Sequence, residues 1–191
     1  DHTENFLRSN YESIKIQNKN KKLICIEGKR NLKAIDVTVP GDPSSAAFIA
    51  ALTLLKKNSY VKIKNVGLNP TRIGFYNLLK INGAKIKFQN KRKINNEFQG
   101  DIIVRSSNLK PILASKKYYV NSTDEYPILF VMASLIKGTS VFKGIGDLTN
   151  KESNRIIEIQ KILTQVNIRS KFSRNELKIF GRGMFKAKNK T

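Results

Sequence analysis

One succession of hydrophobic patterns occurs twice in this chain, and it limits the fold more than any other feature. Strands show as short alternating or β-branched runs, and helices as longer runs bounded by caps and glycines. In the first copy, strands are expected at 35–39, 61–64, 84–88 and 102–104, with helices at 44–55 and 72–81. Asp42 or Ser44 is the expected cap of the first helix and Thr71 or Asn69 of the second. In the second copy, strands are expected at 117–120, 140–142, 168–172 and 177–180, with helices at 124–136 and 151–166. Val61 and Val141 hold matching places about 80 positions apart, and Gly67 and Gly146 match within one residue. Two βαβαββ units therefore follow one another, preceded by the tail of a third, a short helix at 1–9 and a hairpin from 13–16 and 23–26. The fold class is α/β, or α+β in some schemes.

Such a unit places its chemistry before any residue is singled out. Both helices start after a strand, so their N-termini can share one edge of the sheet. Helix N-termini carry unpaired N–H groups and partial positive charge, which suits phosphate and carboxylate groups. In the second copy, Asp124 and Glu125 precede one helix, while Asp147 and Lys151-Glu152-Ser153-Asn154-Arg155 precede or open the next. Asp124 and Glu152, with Lys151 and Arg155, suit acid–base work on a phosphorylated substrate if the two N-termini are neighbours: one carboxylate accepts a proton, the other donates, and the cations hold the anion. Lys151 and Arg155 stand at i and i+4 and are expected on one helix face. The plainer reading is that acidic residues of a first turn are dipole partners and the basic ones a solvated face. In the first copy, the turn Pro40-Gly41-Asp42-Pro43 into Ser44-Ser45 gathers hydroxyls and free N–H groups, or is simply a cap before a closely packed Ala-rich helix. Asn69-Pro70-Thr71-Arg72 is a turn into a helix with an Arg of either exposed or functional use.

Charge excludes less than its size suggests. The chain has 36 Lys plus Arg against 14 Asp plus Glu, a net charge of +22. Lys outnumbers Arg about three to one and is scattered, whereas specific contacts to bases and phosphates favour Arg. The clusters at 19–22, 85–93 and 186–190 fall on expected turns or the end of the sequence. Most of this charge is read as a solvated Lys-rich surface, and no nucleic-acid partner is expected. No apolar run approaches the ~18 residues of a membrane helix, so no membrane is expected either. Cys25 is the only cysteine and His2 the only histidine. Neither a disulfide scaffold nor a metal spacing is available. Walker, dinucleotide-binding and nucleophile-elbow motifs are missing. The sequence opens on Asp1 without a signal-peptide pattern and is expected to be a processed product or a piece of a longer, cytoplasmic protein.

Five strings in order then become specific together. They are Asp1-His2-Thr3-Glu4, Val39-Pro40-Gly41-Asp42-Pro43-Ser44-Ser45-Ala46-Ala47-Phe48, Val66-Gly67-Leu68-Asn69-Pro70-Thr71-Arg72, Asp124-Glu125-Tyr126-Pro127 and Lys151-Glu152-Ser153-Asn154-Arg155. On them the chain resembles the 5-enolpyruvylshikimate-3-phosphate synthase family from residue 1 to about 183. The resemblance implies two similar domains of three βαβαββ units each, with about two and a half of the six units present here. It implies that 1–67 closes one domain and 68–191 belongs to the second. It implies transfer of the enolpyruvyl group of phosphoenolpyruvate to the 5-hydroxyl of shikimate 3-phosphate, with release of phosphate, in the pathway to chorismate and aromatic amino acids. Asp124 matches the proton acceptor that holds the shikimate hydroxyls, and Glu152 the residue that transfers a proton at the methylene carbon. Lys151 matches a lysine on shikimate 3-phosphate and Arg155 an arginine on phosphoenolpyruvate. Asp147 stands where some members place a substrate-contacting asparagine. No cofactor and no metal are implied, and the full-length protein is expected to be a monomer.

Further family segments lie outside these residues, so roughly half an active site is expected, and the isolated 191 residues are expected to release no phosphate from the two substrates. Three other readings compete, one of them a degenerate repeat protein without activity, for which Asp124→Ala or Glu152→Ala would leave turnover unchanged. UDP-N-acetylglucosamine enolpyruvyl transferase shares the repeats, but it normally depends on a cysteine on a loop missing here. A basic nucleic-acid-binding module would show salt-sensitive binding.

Overall fold

Helix α1 (His2–Ser9) and an antiparallel pair, β1 (Ile14–Asn18) and β2 (Lys22–Ile26), open the computed structural model, which describes residues 1–9, 14–18, 22–26, 34–150 and 153–183. The first full unit runs α2 (Pro43–Leu55), β3 (Tyr60–Gly67), α3 (Gly74–Ile81), β4 (Lys85–Ile94) and β5 (Glu97–Arg105). The second runs β6 (Leu113–Ala114), α4 (Lys116–Tyr119), a 3-10 turn at Thr123–Glu125 and α5 (Tyr126–Leu135). It continues through β7 (Gly138–Lys143), a 3-10 turn at Gly146–Asn150, α6 (Arg155–Gln165), β8 (Ser170–Ser173) and β9 (Glu176–Gly181). Among the described residues no helix is long and apolar enough to cross a membrane.

The repeat read from the sequence is present in the sheets. In the second unit β6 lies parallel beside β7, and the order is β6-β7-β9-β8. In the first the order is β3-β5-β4 with the same antiparallel pairings. On the other side of β3, Gly41 makes a parallel bridge to Val66, where β6 stands in the second unit.

Four expectations shift. The strand expected at 35–39 has no sheet partner among the described residues; only Gly41 pairs, and Val37 and Val39 are exposed. Pro40, which has no N–H to donate, limits the pairing. The strand expected at 117–120 is helix α4, and the strand lies earlier, at β6. The hydroxyls of Ser122 and Thr123 take the carbonyls of Tyr118 and Tyr119, which favours a helical end there. Helix α3 starts at Gly74 rather than 72, and no side chain caps it. Helix α6 starts at Arg155 rather than 151, with Asn154 Oδ1 accepting from the Ile157 N–H at 3.1 Å. Asp42 does cap α2, as expected. The expected turn at 19–21, the site residues Lys151 and Glu152, and the terminal lysines at 186–190 lie outside the described residues.

A continuous core runs from Ala46 to Ile179. Ala46, Ala47, Ala50 and Ala51 give α2 a small-residue face that is almost wholly buried. Tyr126, Phe130 and Phe142 meet edge-to-face with ring centres 4.9–5.9 Å apart. Such pairs add roughly 0.5–1.5 kcal/mol beyond their burial. The core joins α2, ahead of residue 67, to everything after it, and a division at 67/68 runs between β3 and its hydrogen-bonded partner β5.

Asp101 on β5 stabilises two irregularities at once. The register of β3 shifts between Ile63 and Val66, and that of β4 between Gln89 and Arg92. Asn65 and Asn90 sit in these bulges with positive φ. The Asp101 carboxylate accepts from the Asn65 N–H at 3.0 Å and from Asn90 Nδ2 at 2.7 Å, and pairs with Lys62 at 3.0 Å. The Asn65 hydrogen bond first, then Lys62 and Asn90, hold its pKa at about 2. An ordinary aspartate titrates near 3.9. The stabilisation is therefore complete above about pH 4 and lost as pH falls towards 2. Asp101→Ala should lower the melting temperature at pH 7, and its gap from the parent should close on acidification. A gap that is unchanged at pH 2.5 contradicts this.

Candidate functional site

Parallel neighbours make one edge of each sheet the natural place for chemistry. Because β6 and β7 run the same way, the segments that leave them, 115–126 and 144–150, emerge at the same edge. The Gly41–Val66 bridge does the same for 42–45 and 68–74. Backbone and side-chain hydrogen bonds then join the two edges. The Gly74 N–H donates to the Asn121 carbonyl at 3.0 Å, so the second unit caps α3.

Arg72 lies at the centre of this junction. Its Nη1 is 3.5 Å from Asp124 Oδ2, and its Nη2 donates to Ser44 Oγ at 3.0 Å. Ser44 Oγ in turn donates to Glu125 Oε1. The adjacent carboxylates differ in burial: the Asp124 side chain is 57% exposed, while Glu125 is buried at 4%. Burial raises the pKa of Glu125 above the usual carboxylate range, against the Ser44 hydrogen bond and the Arg72 charge. Asp42 moves the other way. Burial opposes its charge, but hydrogen bonds from Ser45 and Ser44 and the Arg72 cation outweigh it and lower its pKa. Behind them the Tyr76 hydroxyl donates to the Pro43 carbonyl at 2.7 Å, tying α3 to the start of α2.

The first string joins the third. Asn69 Nδ2 donates to Glu97 Oε2 at 3.0 Å and to Asp1 Oδ1 at 2.7 Å, and His2 Nδ1 is 2.8 Å from Glu97 Oε1. A cavity of about 260 Å³ lies here, bounded by His2, Asp42, Asn69, Arg72 and Glu97. Glu97 is desolvated, yet hydrogen bonds from Asn5, His2 and Asn69 lower its pKa.

On the other side, the Tyr119 hydroxyl donates to Asp147 Oδ2 at 3.0 Å. Burial first, then Asp147, pushes the Tyr119 pKa up to about 12, while the charge of Arg155 works against the rise. Tyr119 also packs edge-on against Tyr126 at 5.2 Å. One tyrosine thus links the start of α5 to the loop before α6. Asp124, Asp147 and Arg155 are accordingly gathered at one edge. Lys151 and Glu152 lie outside the described residues. Arg155 is the first residue of α6, after its cap Asn154.

Ser44, Arg72 and Glu125 were visible as edge residues without a stated role. Tyr119 was missed, because its run of bulky residues reads as a strand.

The arrangement sets an exposed carboxylate beside a fixed guanidinium, with a second arginine across a tyrosine bridge. It can accept a proton from a hydroxyl and hold an anion. Comparison with known proteins gives one consistent picture. The family model described as EPSP synthase (3-phosphoshikimate 1-carboxyvinyltransferase) matches residues 1–187. The 3-phosphoshikimate 1-carboxyvinyltransferase of Zymomonas mobilis is 39% identical over 157 residues, 82% of this chain and 35% of its own length. That of Acidiphilium cryptum is 36% identical over 184 residues, 96% of this chain and 41% of its own. The solved EPSP synthase of Acinetobacter baumannii superposes with a TM-score of 0.86 at 32% identity, covering 96% of this chain and 41% of that one. The chain thus spans about two fifths of the length of the relatives it matches.

Proposed function

The chain belongs to the EPSP synthase family, and on that premise we propose that it carries part of the site that transfers the enolpyruvyl group from phosphoenolpyruvate to the 5-hydroxyl of shikimate 3-phosphate. The observation that carries this reading is the junction of Ser44, Arg72, Asp124 and Glu125, which unites three of the five family strings at one edge.

Asp124 accepts the proton of the attacking hydroxyl. Its exposure lets substrate reach it, and its ion pair with Arg72 fixes its direction. Arg155 holds the phosphoenolpyruvate anion at the start of α6, where the helix dipole adds to its charge. Lys151 binds the phosphorylated acceptor, and Glu152 moves the proton at the methylene carbon. Asp147, engaged by Tyr119, orients the loop that leads to these residues. Addition then elimination breaks the carbon–oxygen bond to phosphate and restores the double bond.

The division into domains belongs to the same proposal. The resemblance sets it at 67/68, whereas the shared core from Ala46 onward supports a passage just before α2. Phe48, Ile49 and Leu52 leave an exposed apolar face on α2, which suits cover by the rest of a longer protein. Small phosphorylated substrates rather than nucleic acid are the partners, and a cytoplasmic monomer is the form.

The test uses the full-length protein. Phosphate release should require both phosphoenolpyruvate and shikimate 3-phosphate, and UDP-N-acetylglucosamine should not replace the second. Turnover with the nucleotide sugar, or none with shikimate 3-phosphate, rejects the proposal.

A further inference from the structure

We propose that Arg72 is a positioning residue for Asp124, held in place by Ser44 and Glu125 from the other sides; this rests on the reading of Asp124 as the proton acceptor.

Three carboxylates from two repeat units face this one guanidinium. Asp42 comes from the cap of α2, and Asp124 and Glu125 from the turn before α5. Arg72 meets Asp124 directly at 3.5 Å and reaches Glu125 through the Ser44 hydroxyl, at 3.0 Å on the arginine side. A guanidinium is planar, so a partner on one nitrogen restricts where the other nitrogens point. Seating Nη2 on Ser44 therefore aims Nη1 at Asp124. The seat itself is firm. Glu125 is almost wholly buried, and Ser44 lies on the first turn of α2, whose cap is fixed by Asp42.

The Arg72 backbone is placed as firmly. Its N–H donates to the Asn69 carbonyl at 2.9 Å, and Asn69 Oδ1 accepts from the Thr71 N–H at 2.9 Å, which closes the turn before α3. Arg72 thus conveys the register of the first unit to a side chain of the second. Without it, an exposed Asp124 loses its direction, and three carboxylates are left facing a site meant for anions.

The experiment measures kcat and KM of the full-length protein with phosphoenolpyruvate and shikimate 3-phosphate. Small misplacement of a reacting group costs up to about 100-fold, so Arg72→Gln should lower kcat by about 10- to 100-fold with each KM within about threefold. Arg72→Lys, which keeps the charge but not the fork, should recover part of the loss. In an Asp124→Asn background the added Arg72→Gln should cost less than about threefold, because a positioning residue has nothing left to position. If Arg72→Gln does not fold, Ser44→Ala serves, with an expected loss of about three- to tenfold in kcat and the same non-additivity. Unchanged kcat, a loss confined to KM, or losses that multiply in the double variant overturn the proposal. Asp124→Asn with full turnover instead rejects the underlying reading of the site. A collapse in Asp124→Asn alone leaves that reading standing and removes only the role of Arg72.

Discussion

Asp124→Asn in the full-length protein is expected to lower kcat by about 10²- to 10⁴-fold, the range for loss of a general base, with little change in stability. The two effects separate for a physical reason. More than half of the Asp124 side chain is exposed, and its Arg72 pair is 3.5 Å long and itself partly exposed. Such pairs contribute about 0–1 kcal/mol. The amide keeps the shape and removes the basic oxygen. Steady-state rates with both substrates, together with a melting curve, check the claim. A variant that turns over normally, or one that loses activity only by unfolding, contradicts it.

Gly74→Ala is expected to damage fold and site together. A Cβ at Gly74 would lie 2.5 Å from the Asn121 carbonyl oxygen and 2.8 Å from its carbon. Those are backbone atoms, so relief requires the two units to move apart, at a cost of about 1–3 kcal/mol or more. The same movement breaks the Gly74 to Asn121 hydrogen bond and shifts the chain three residues before Asp124. Gly67→Ala is the comparison: nothing lies closer than 3.6 Å to its Cβ, and its φ is not positive. Melting temperature and kcat should both fall for Gly74→Ala, and melting temperature should hold nearly steady for Gly67→Ala. Equal melting of the two variants contradicts the close approach.

How much was legible in the sequence follows from which forces acted locally. The repeat was readable because each unit needs its own buried faces, so the periodicity recurs, with Val61 and Val141, and Gly67 and Gly146, at matching places. The Asp42 cap was readable because a short acceptor two residues before free N–H groups acts within one turn. The starts of α3 and α6 were not. Gly74 is capped by Asn121 from the other unit, and Asn154 stands in a string dominated by charged neighbours. Tyr119 reads as a strand residue because its neighbours are bulky; the contacts that fix it, Asp147 and Tyr126, lie beyond the helix that holds it. Asp124, Asp147 and Arg155 could be named as edge residues from element order. The Arg72–Ser44–Glu125 chain could not, since it depends on how two units face each other.

The proposed function requires the shared edge to bind the two substrates around Asp124 and Arg155. A structure of the full-length protein with shikimate 3-phosphate and a phosphoenolpyruvate analogue tests it most directly. A ring hydroxyl is expected within hydrogen-bond distance of the Asp124 carboxylate, and the analogue's anion on the Arg155 guanidinium. Both ligands bound away from this edge, with Asp124 facing only solvent and Arg72, would contradict it.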